Sequence, residues 1–569
     1  MKKKEGAISW IVEMCRQQRS LPFAAKASVC EILWAVLPGI IACLAILHPF
    51  FFSAGEFIYL DWSGTSIDMT PFTNFMDVYG QDGAGFRWIP FLLPQLPFVL
   101  LLGQGASAMF SRIFFLFIFI LGSTGLFMFF REKPRAIYLL SAAIMFFSPF
   151  VYERIMMGQF LMVLSLASLP ITLYFAKKFL ATPALSSAWQ PVLCLTLLNL
   201  QIQGLVMNAL LVGGYFALHA LFCTRREKLA IPYMQFAAMF LLFNAYWIAP
   251  YFALPKPALL SSIDPSHAEF FTPKASIGMN TLFKSAAMYG SWRESSMKLA
   301  YNYPPADFIP KEVWRWAAIA FVAVLMCLSA FAVLQNPKNP LHLALAFGWI
   351  AGVLVATGIS HPWTGWAFDW LFQNVQFFVG FRDSNKWAEL VVCAYALLAP
   401  AGAHMLAGKR KLGWILPALL IVFAIACNYV AIGLAGQLMP GTYPQEYMEI
   451  SSLAAQNGTT IYLPWSVYNS YTWSLAFGLD GRIANPAGKF GQGKIQMGVS
   501  PLDFSSTMLS SENYTKCLAA QSIPCLKNEG VSRIIVDRCF LGNGIYGWVA
   551  ANRTALKSSG CLSVYNTGG

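Results

Sequence analysis

From Cys30 to about Val430 the chain alternates long apolar runs with short polar stretches. A helix needs roughly 20 apolar residues to cross a hydrocarbon core about 30 Å thick, and runs of that length recur through this whole stretch. The pattern predicts about eleven membrane-spanning helices. They fall at about 28–52, 108–130, 135–152, 160–177, 188–204, 205–222, 230–252, 313–335, 341–358, 387–407 and 412–435. An odd number of crossings puts the two chain ends on opposite sides. The apolar segment from Trp88 to Gln104 contains Pro90, Pro94 and Pro97. Counted as a span, it would place Arg131, Lys133 and Arg135 outside. It reads instead as a broken helix at the outer interface or re-entering it, where backbone groups freed by proline meet protein or water.

After about Pro440 the hydrophobic period changes. TTIYLPWS and SRIIVD read as short strands, and LAAQSIPCLKNEG reads as a helix ending at Gly530. The expected organisation is an α-helical polytopic domain over residues 1–439, followed by a small extracytoplasmic α/β domain over 440–569. Long outer loops are expected at 53–107, 253–312 and 360–386. No repeat at solenoid periods and no low-complexity tract interrupts this reading.

Composition supports the membrane assignment: of 569 residues 57% are hydrophobic and only 11% charged, against about 25% charged in an ordinary soluble domain. The net charge of +13 would suit a nucleic-acid binder only if the positive residues formed one footprint. They lie between the apolar segments instead: Lys2, Lys3, Lys4, Arg16 and Arg19, then Arg131/Lys133/Arg135, Lys177/Lys178, Arg225/Arg226/Lys228, Lys338 and Lys409/Arg410/Lys411. That is the positive-inside pattern, and it predicts a cell (inner) membrane protein with a cytoplasmic amino terminus and no nucleic-acid partner. The basic start lacks a short apolar region with a small-residue cleavage site, so the first span reads as an uncleaved anchor.

Eight of the twelve cysteines lie in or near spans, while Cys517, Cys525, Cys539 and Cys561 lie in the terminal domain. In an oxidising compartment these four predict one or two disulfides, with three full pairings open. His267 with Glu269, and His361, have no partner at metal-ligand spacing. GxSxG, HExxH and GxxxxGK[ST] are absent, so serine-hydrolase, zincin and P-loop chemistry lack their signatures.

Candidate chemistry concentrates on the outer side. The first outer loop carries Glu56, Asp61, Asp68, Asp77 and Asp82. A carboxylate at the mouth of a membrane cavity could deprotonate an acceptor hydroxyl. Asp61, just beyond the first span and between Leu60 and Trp62, is the first choice, with Asp68 after it; a solvated loop or capping residue is the plainer alternative. The turn FFSPFVYERIMMGQF puts Glu153 and Arg154 at the outer end of two spans beside Gln159. Charged groups at membrane depth are rare and usually functional. Glu153 is a second candidate carboxylate and Arg154 a candidate phosphate fork, unless the two simply pair with each other. In GFRDSNKWAEL, Arg382 and Lys386 are four apart and would project from one helix face as a phosphate clamp, or snorkel as ordinary span-end cations. Gln159 and Trp62 complete the candidate substrate contacts.

Taken together, a basic start, one span, an acidic outer loop, SPFVYERIMMGQF, QIQG, FRDSNKW and a terminal domain with GVSRIIVD resemble the GT-C membrane glycosyltransferases, nearest to their arabinofuranosyltransferase-like and YfhO-like groups. The resemblance implies transfer of a sugar from a polyprenyl-phosphate donor to a glycan, glycolipid or protein acceptor at the outer leaflet. It implies that the first-loop acid, here Asp61, is the base and that Arg382, Lys386 and Arg154 bind donor phosphate. The donor's tail would enter between spans from the surrounding lipid, and the terminal domain would help hold the acceptor. Asp61 has no DxD or GDE-like neighbour, which leaves a divalent cation as an open cofactor. Two other readings fit a many-span protein: a transporter or flippase of lipid-linked sugars, and a non-catalytic cell-envelope assembly factor. Transporters usually carry internal repeats and midplane breaks, and this chain shows no duplication.

Overall fold

A computed structural model of the chain describes residues 29–65, 69–73, 85–222, 230–254, 269, 271–275, 280–408, 413–491, 495–498 and 513–568. Among them nine helices are long and apolar enough to cross a membrane. The helical elements used below are α1 (Val29–Phe52), α2 (Ala106–Phe129), α3 (Arg135–Phe146), α4 (Pro149–Met156), α5 (Phe160–Ala181), α6 (Leu185–Leu197), α7 (Ile202–Phe222), α8 (Ala230–Ala253), α9 (Lys311–Gln335), α10 (Pro340–Ala356), α11 (Ala388–Ala407) and α12 (Ile415–Ala426).

Nine of the eleven expected spans correspond to helical stretches of span length, two of them composite: α3 with α4 over Arg135–Met156, and α12 with the 3-10 turns that follow it over Ile415–Gly436; the other two are shorter single helices. The one expected at 341–358 is the 17-residue α10, and the one expected at 188–204 is the 13-residue α6. α6 stops because the chain unwinds around Asn199 and Leu200, whose carbonyls accept from the buried Arg87 guanidinium, Leu200 O at 2.7 Å from Nε. Backbone groups released at membrane depth must find such partners, since lipid offers none. Arg87 opens the proline-rich stretch, which is broken into Gly85–Trp88, Ile89–Leu92, Leu93–Gln95 and Leu96–Leu102. The prolines thus fragment this segment as its sequence predicts, and its first turn braces α6.

The centre of the bundle is α11, which packs against α9, α10 and α3. Every residue from Ala388 to Pro400 on it is buried. α1 and α5 flank α2 in the same way.

The carboxy-terminal region contains β1 (Thr459–Leu463), β2 (Tyr468–Ser470), β3 (Arg482–Ala484), β4 (Ile495–Gln496), β5 (Val531–Asp537), β6 (Ala555–Ser559) and β7 (Leu562–Asn566). Five strands form one sheet in the order β4-β1-β5-β7-β6, and β2 and β3 form a separate two-stranded ribbon. β1 runs parallel to β4 and β5, while β7 is antiparallel to β5 and β6. Strands fall where TTIYLP and SRIIVD predict them. The single helix expected over LAAQSIPCLKNEG is instead two, Asn513–Ala519 and Ile523–Asn528. Gln521 adopts φ +50°, and Ser522 starts a new helix by accepting from the Cys525 amide, with Pro524 in the first turn. Disulfides join Cys517 to Cys525 and Cys539 to Cys561, selecting one of the three pairings.

Candidate functional site

The loop after α1 is fixed by its own backbone before any side chain acts. Tyr59 and Trp62 exchange amide–carbonyl bonds at 3.0 Å, closing a tight turn around Leu60 and Asp61. The Leu60 amide donates to Arg482 O at 3.1 Å and the Asp61 amide to Met157 O at 3.2 Å. Leu60 is held at φ +44°, a conformation a branched residue adopts only when its surroundings impose it. The result separates two neighbours. Trp62 is turned inward among Phe91, Phe114, Phe115 and Phe160 and is 5% exposed, while Asp61 stays open to solvent. Trp62, a candidate substrate contact, is therefore the floor beneath Asp61, enclosed in an aromatic cluster.

The turn that receives the Asp61 amide is the end of α4. Gly158 there has φ +72°, and a Cβ would meet Trp62 N at 2.6 Å, so the close approach to the Asp61 loop requires glycine. Arg154 and Glu153, both fully buried, leave α4 in different directions. Arg154 Nη1 donates to Asp383 Oδ2 and to Gln159 Oε1, each at 2.6 Å, and Nη2 donates to Asn385 Oδ1 at 2.5 Å. Gln159 passes the contact onward, its Nε2 donating to Asp61 Oδ2 at 2.7 Å. The other oxygen, Asp61 Oδ1, accepts from the Tyr468 hydroxyl of β2. Burial, and then the Asp61 carboxylate, push the Tyr468 hydroxyl well up, so it stays a donor.

Arg382 and Lys386 lie on successive 3-10 turns, Gln376–Phe381 capped by Arg382 and Ser384–Trp387, before α11 begins. The expectation of one α-helical face is thus corrected: Asp383, whose carboxylate pairs with Arg154, sits between the two turns with non-helical backbone. The two cations nevertheless converge. Lys386 lies within electrostatic range of Asp61, Asp383, Arg382 and Arg154, and Arg382 stacks over Phe271 at 5.3 Å.

Glu153 takes other hydrogen-bond partners. Its Oε2 accepts from the Ser291 amide at 3.1 Å, and it feels the charge of Glu294, which is ion-paired with Lys284. The sequence alternative of a Glu153–Arg154 pair is not what forms. Asp68, Asp77, Asp82 and His267 lie outside the described residues. His361 is edge-on to Trp363 at 5.7 Å.

Asp61, Gln159, Arg154, Arg382 and Lys386 are therefore brought together, while Glu153 and Trp62 face elsewhere. Three partners were not singled out from sequence: Asp383 and Asn385, although both stand inside the FRDSNKW motif, and Tyr468. Glu389 is a fourth omission. It is fully buried on α11 and accepts from Ser165 Oγ at 2.8 Å, and a carboxyl inside the apolar run WAELVV was the available signal. Among the described residues the only trio with metal-ligand atoms grouped closely is Asp537, Cys539 and Cys561, whose two cysteines are the disulfide.

The described residues form a bundle of membrane-length helices with an acid-bearing loop after its first span and a small terminal sheet. No family model matches the sequence, and no curated protein does. Among solved structures, the chain is similar to the arabinofuranosyltransferase AftD from mycobacteria, in its R1389S mutant form, with a TM-score of 0.51 at 14% identity over 94% of this chain. The chain spans 41% of that protein's length, and at such identity the likeness is one of fold.

Proposed function

We propose that the chain is an integral membrane glycosyltransferase that moves a sugar from a polyprenyl-phosphate donor to a hydroxyl of a glycan, lipid or protein acceptor on the extracytoplasmic face. One observation carries this reading: solvent-open Asp61 is tied through Gln159 and Arg154 to Asp383 and Asn385, between the cations Arg382 and Lys386, in a chain whose fold resembles a membrane arabinofuranosyltransferase.

In this scheme Asp61 takes the acceptor's proton as the hydroxyl oxygen bonds to the sugar's anomeric carbon. The bond from that carbon to the phosphate oxygen breaks, and polyprenyl phosphate leaves with the electron pair. Lys386 and Arg382 offset the charge that builds on the departing phosphate. Arg154 is fully enclosed and both its terminal nitrogens donate to protein partners, Nη1 to Asp383 and Gln159 and Nη2 to Asn385, so it acts on Asp61 through Gln159. Glu153, enclosed against Ser291, moves no proton in this scheme.

Asp61→Asn should retain the wild-type unfolding temperature and lower transfer by roughly 10²- to 10⁴-fold, the range for loss of a general base. Transfer measured in proteoliposomes with polyprenyl-phosphoryl sugars decides this, and an Asn variant as active as wild type sinks the assignment. Impermeant maleimide labelling of a cysteine placed in the exposed strand β6 tests the sidedness. Labelling only after the membrane is opened from the cytoplasmic side would turn the site to the wrong face.

A further inference from the structure

The carboxy-terminal region is built into the candidate site instead of standing beside it. Its ribbon β2–β3 meets the first loop through a single isolated bridge: the Leu60 amide donates to Arg482 O, and Leu60 lies parallel to Ile483. Two side-chain clamps flank that seam. On one side Arg293 and Tyr59 both hold Asp480, Arg293 Nη2 at 2.5 Å and the Tyr59 hydroxyl at 2.9 Å. On the other, Lys489 pairs with Glu56 at 3.3 Å and donates to Ser63 O at 2.7 Å. Between the clamps the Tyr468 hydroxyl meets Asp61 Oδ1.

We propose that Tyr468 is a positioning residue for Asp61, supplied by the carboxy-terminal ribbon, and that the site is incomplete without that ribbon. The inference rests on the reading of Asp61 as the base. A carboxylate offers about four lone-pair positions. Gln159 and Tyr468 each take one, on opposite oxygens, and this fixes the plane of the carboxylate while leaving positions free for an acceptor hydroxyl. Tyr468 lies within electrostatic range of Arg382, but it commits its single hydroxyl proton to Asp61 and has none to offer the donor phosphate. Its loss should therefore change the rate of the chemical step and leave donor binding alone.

The test uses the full chain in nanodiscs with farnesyl-phosphoryl arabinofuranose as donor and an alkyl arabinofuranoside as acceptor, comparing wild type, Tyr468→Phe and Asp61→Asn, with release of farnesyl phosphate as readout. Hydrogen exchange over residues 56–65 and the unfolding temperature are followed in the same samples. Tyr468→Phe removes one oxygen and should lower kcat at least tenfold with KM within about twofold, at an unchanged unfolding temperature, and should speed exchange in 56–65. An unchanged kcat, a loss confined to KM, or a loss accompanied by a lower unfolding temperature overturns the proposal. If Asp61→Asn keeps the wild-type kcat, or no protein turns the probe over, it is the base or donor reading that has failed. The exchange arm then decides alone: faster exchange over 56–65 in the Phe variant sustains the positioning role, and wild-type exchange ends it.

Discussion

Arg154 and Asp383 form an ion pair with 2.6 Å between Nη1 and Oδ2, both side chains almost wholly withdrawn from solvent, directly behind the turn that presents Asp61. Two charges taken out of water are tolerable only while each keeps the other and its hydrogen bonds. This pair joins the end of α4 to the approach to α11, residues 229 apart in sequence. It fixes the distance between the acid-bearing loop and the cations of FRDSNKW.

Removing one partner should be far worse than removing both. Arg154→Leu leaves Asp383 buried without its hydrogen-bonded cation and should destabilise the protein by about 3–5 kcal/mol. The double variant Arg154→Leu with Asp383→Leu should recover a large part of that loss. Unfolding temperature in detergent, read by fluorescence-detected size exclusion, checks the non-additivity.

Gln159→Leu removes the donor to Asp61 Oδ2 and an acceptor for Arg154 without adding charge. The Asp61 side chain then keeps only Tyr468, and the arrangement behind it loosens. Transfer should fall roughly 10- to 100-fold, the scale of a small misplacement of a reacting group. A Leu variant with wild-type transfer would show that the relay from Arg154 is idle.

Lys386→Ala should weaken binding of undecaprenyl phosphate by roughly tenfold or more, since a charge-assisted hydrogen bond contributes about 1.5–3 kcal/mol. Binding followed by native mass spectrometry checks it. Arg154→Lys should affect the same measurement much less, because the Arg154 guanidinium is spent on protein partners.

Asp537 supplies a pH test in the terminal sheet. Burial pushes its carboxyl up from 3.8 to about 6, although Tyr447 and Tyr462 both donate to it and pull the other way. The folded state therefore holds this proton more tightly than the unfolded chain does. Its contribution to stability is present below about pH 4 and is lost as pH rises to about 6. Thermal unfolding of wild type against Asp537→Asn between these pH values should show the downward slope in the wild type alone. A parallel slope in the variant would assign it to another group.

The regular parts of the architecture were legible because they depend on local pattern. Apolar runs of span length became helices, three prolines broke the segment after Arg87, and β-branched runs became β1 and β5. The early end of α6 was not legible, because Arg87, more than a hundred residues earlier, takes the carbonyls just beyond it, whereas the span at 341–358 forms as α10 within two residues of its expected bounds. The same holds for the site. Asp61, Arg382 and Lys386 could be singled out by residue type and position, but their partners are set by the tertiary fold. Asp383 and Asn385 lie inside FRDSNKW, yet nothing local shows that Arg154 will arrive there. The four-residue spacing of Arg382 and Lys386 predicts a helical face that the chain does not make, because Asp383 leaves helical backbone to meet Arg154. Tyr468 is 407 residues from Asp61 and carries no local mark of its role.

That separation sets an order of events during synthesis. The bundle's early helices can insert while the rest of the chain is still being made, yet the loop behind α1 stays without its ribbon until residues 468–489 have emerged. A ribosome that stops after α12 would release a product with the described spans made and Asp61 still without Tyr468. Timing, as much as geometry, decides when those two residues meet.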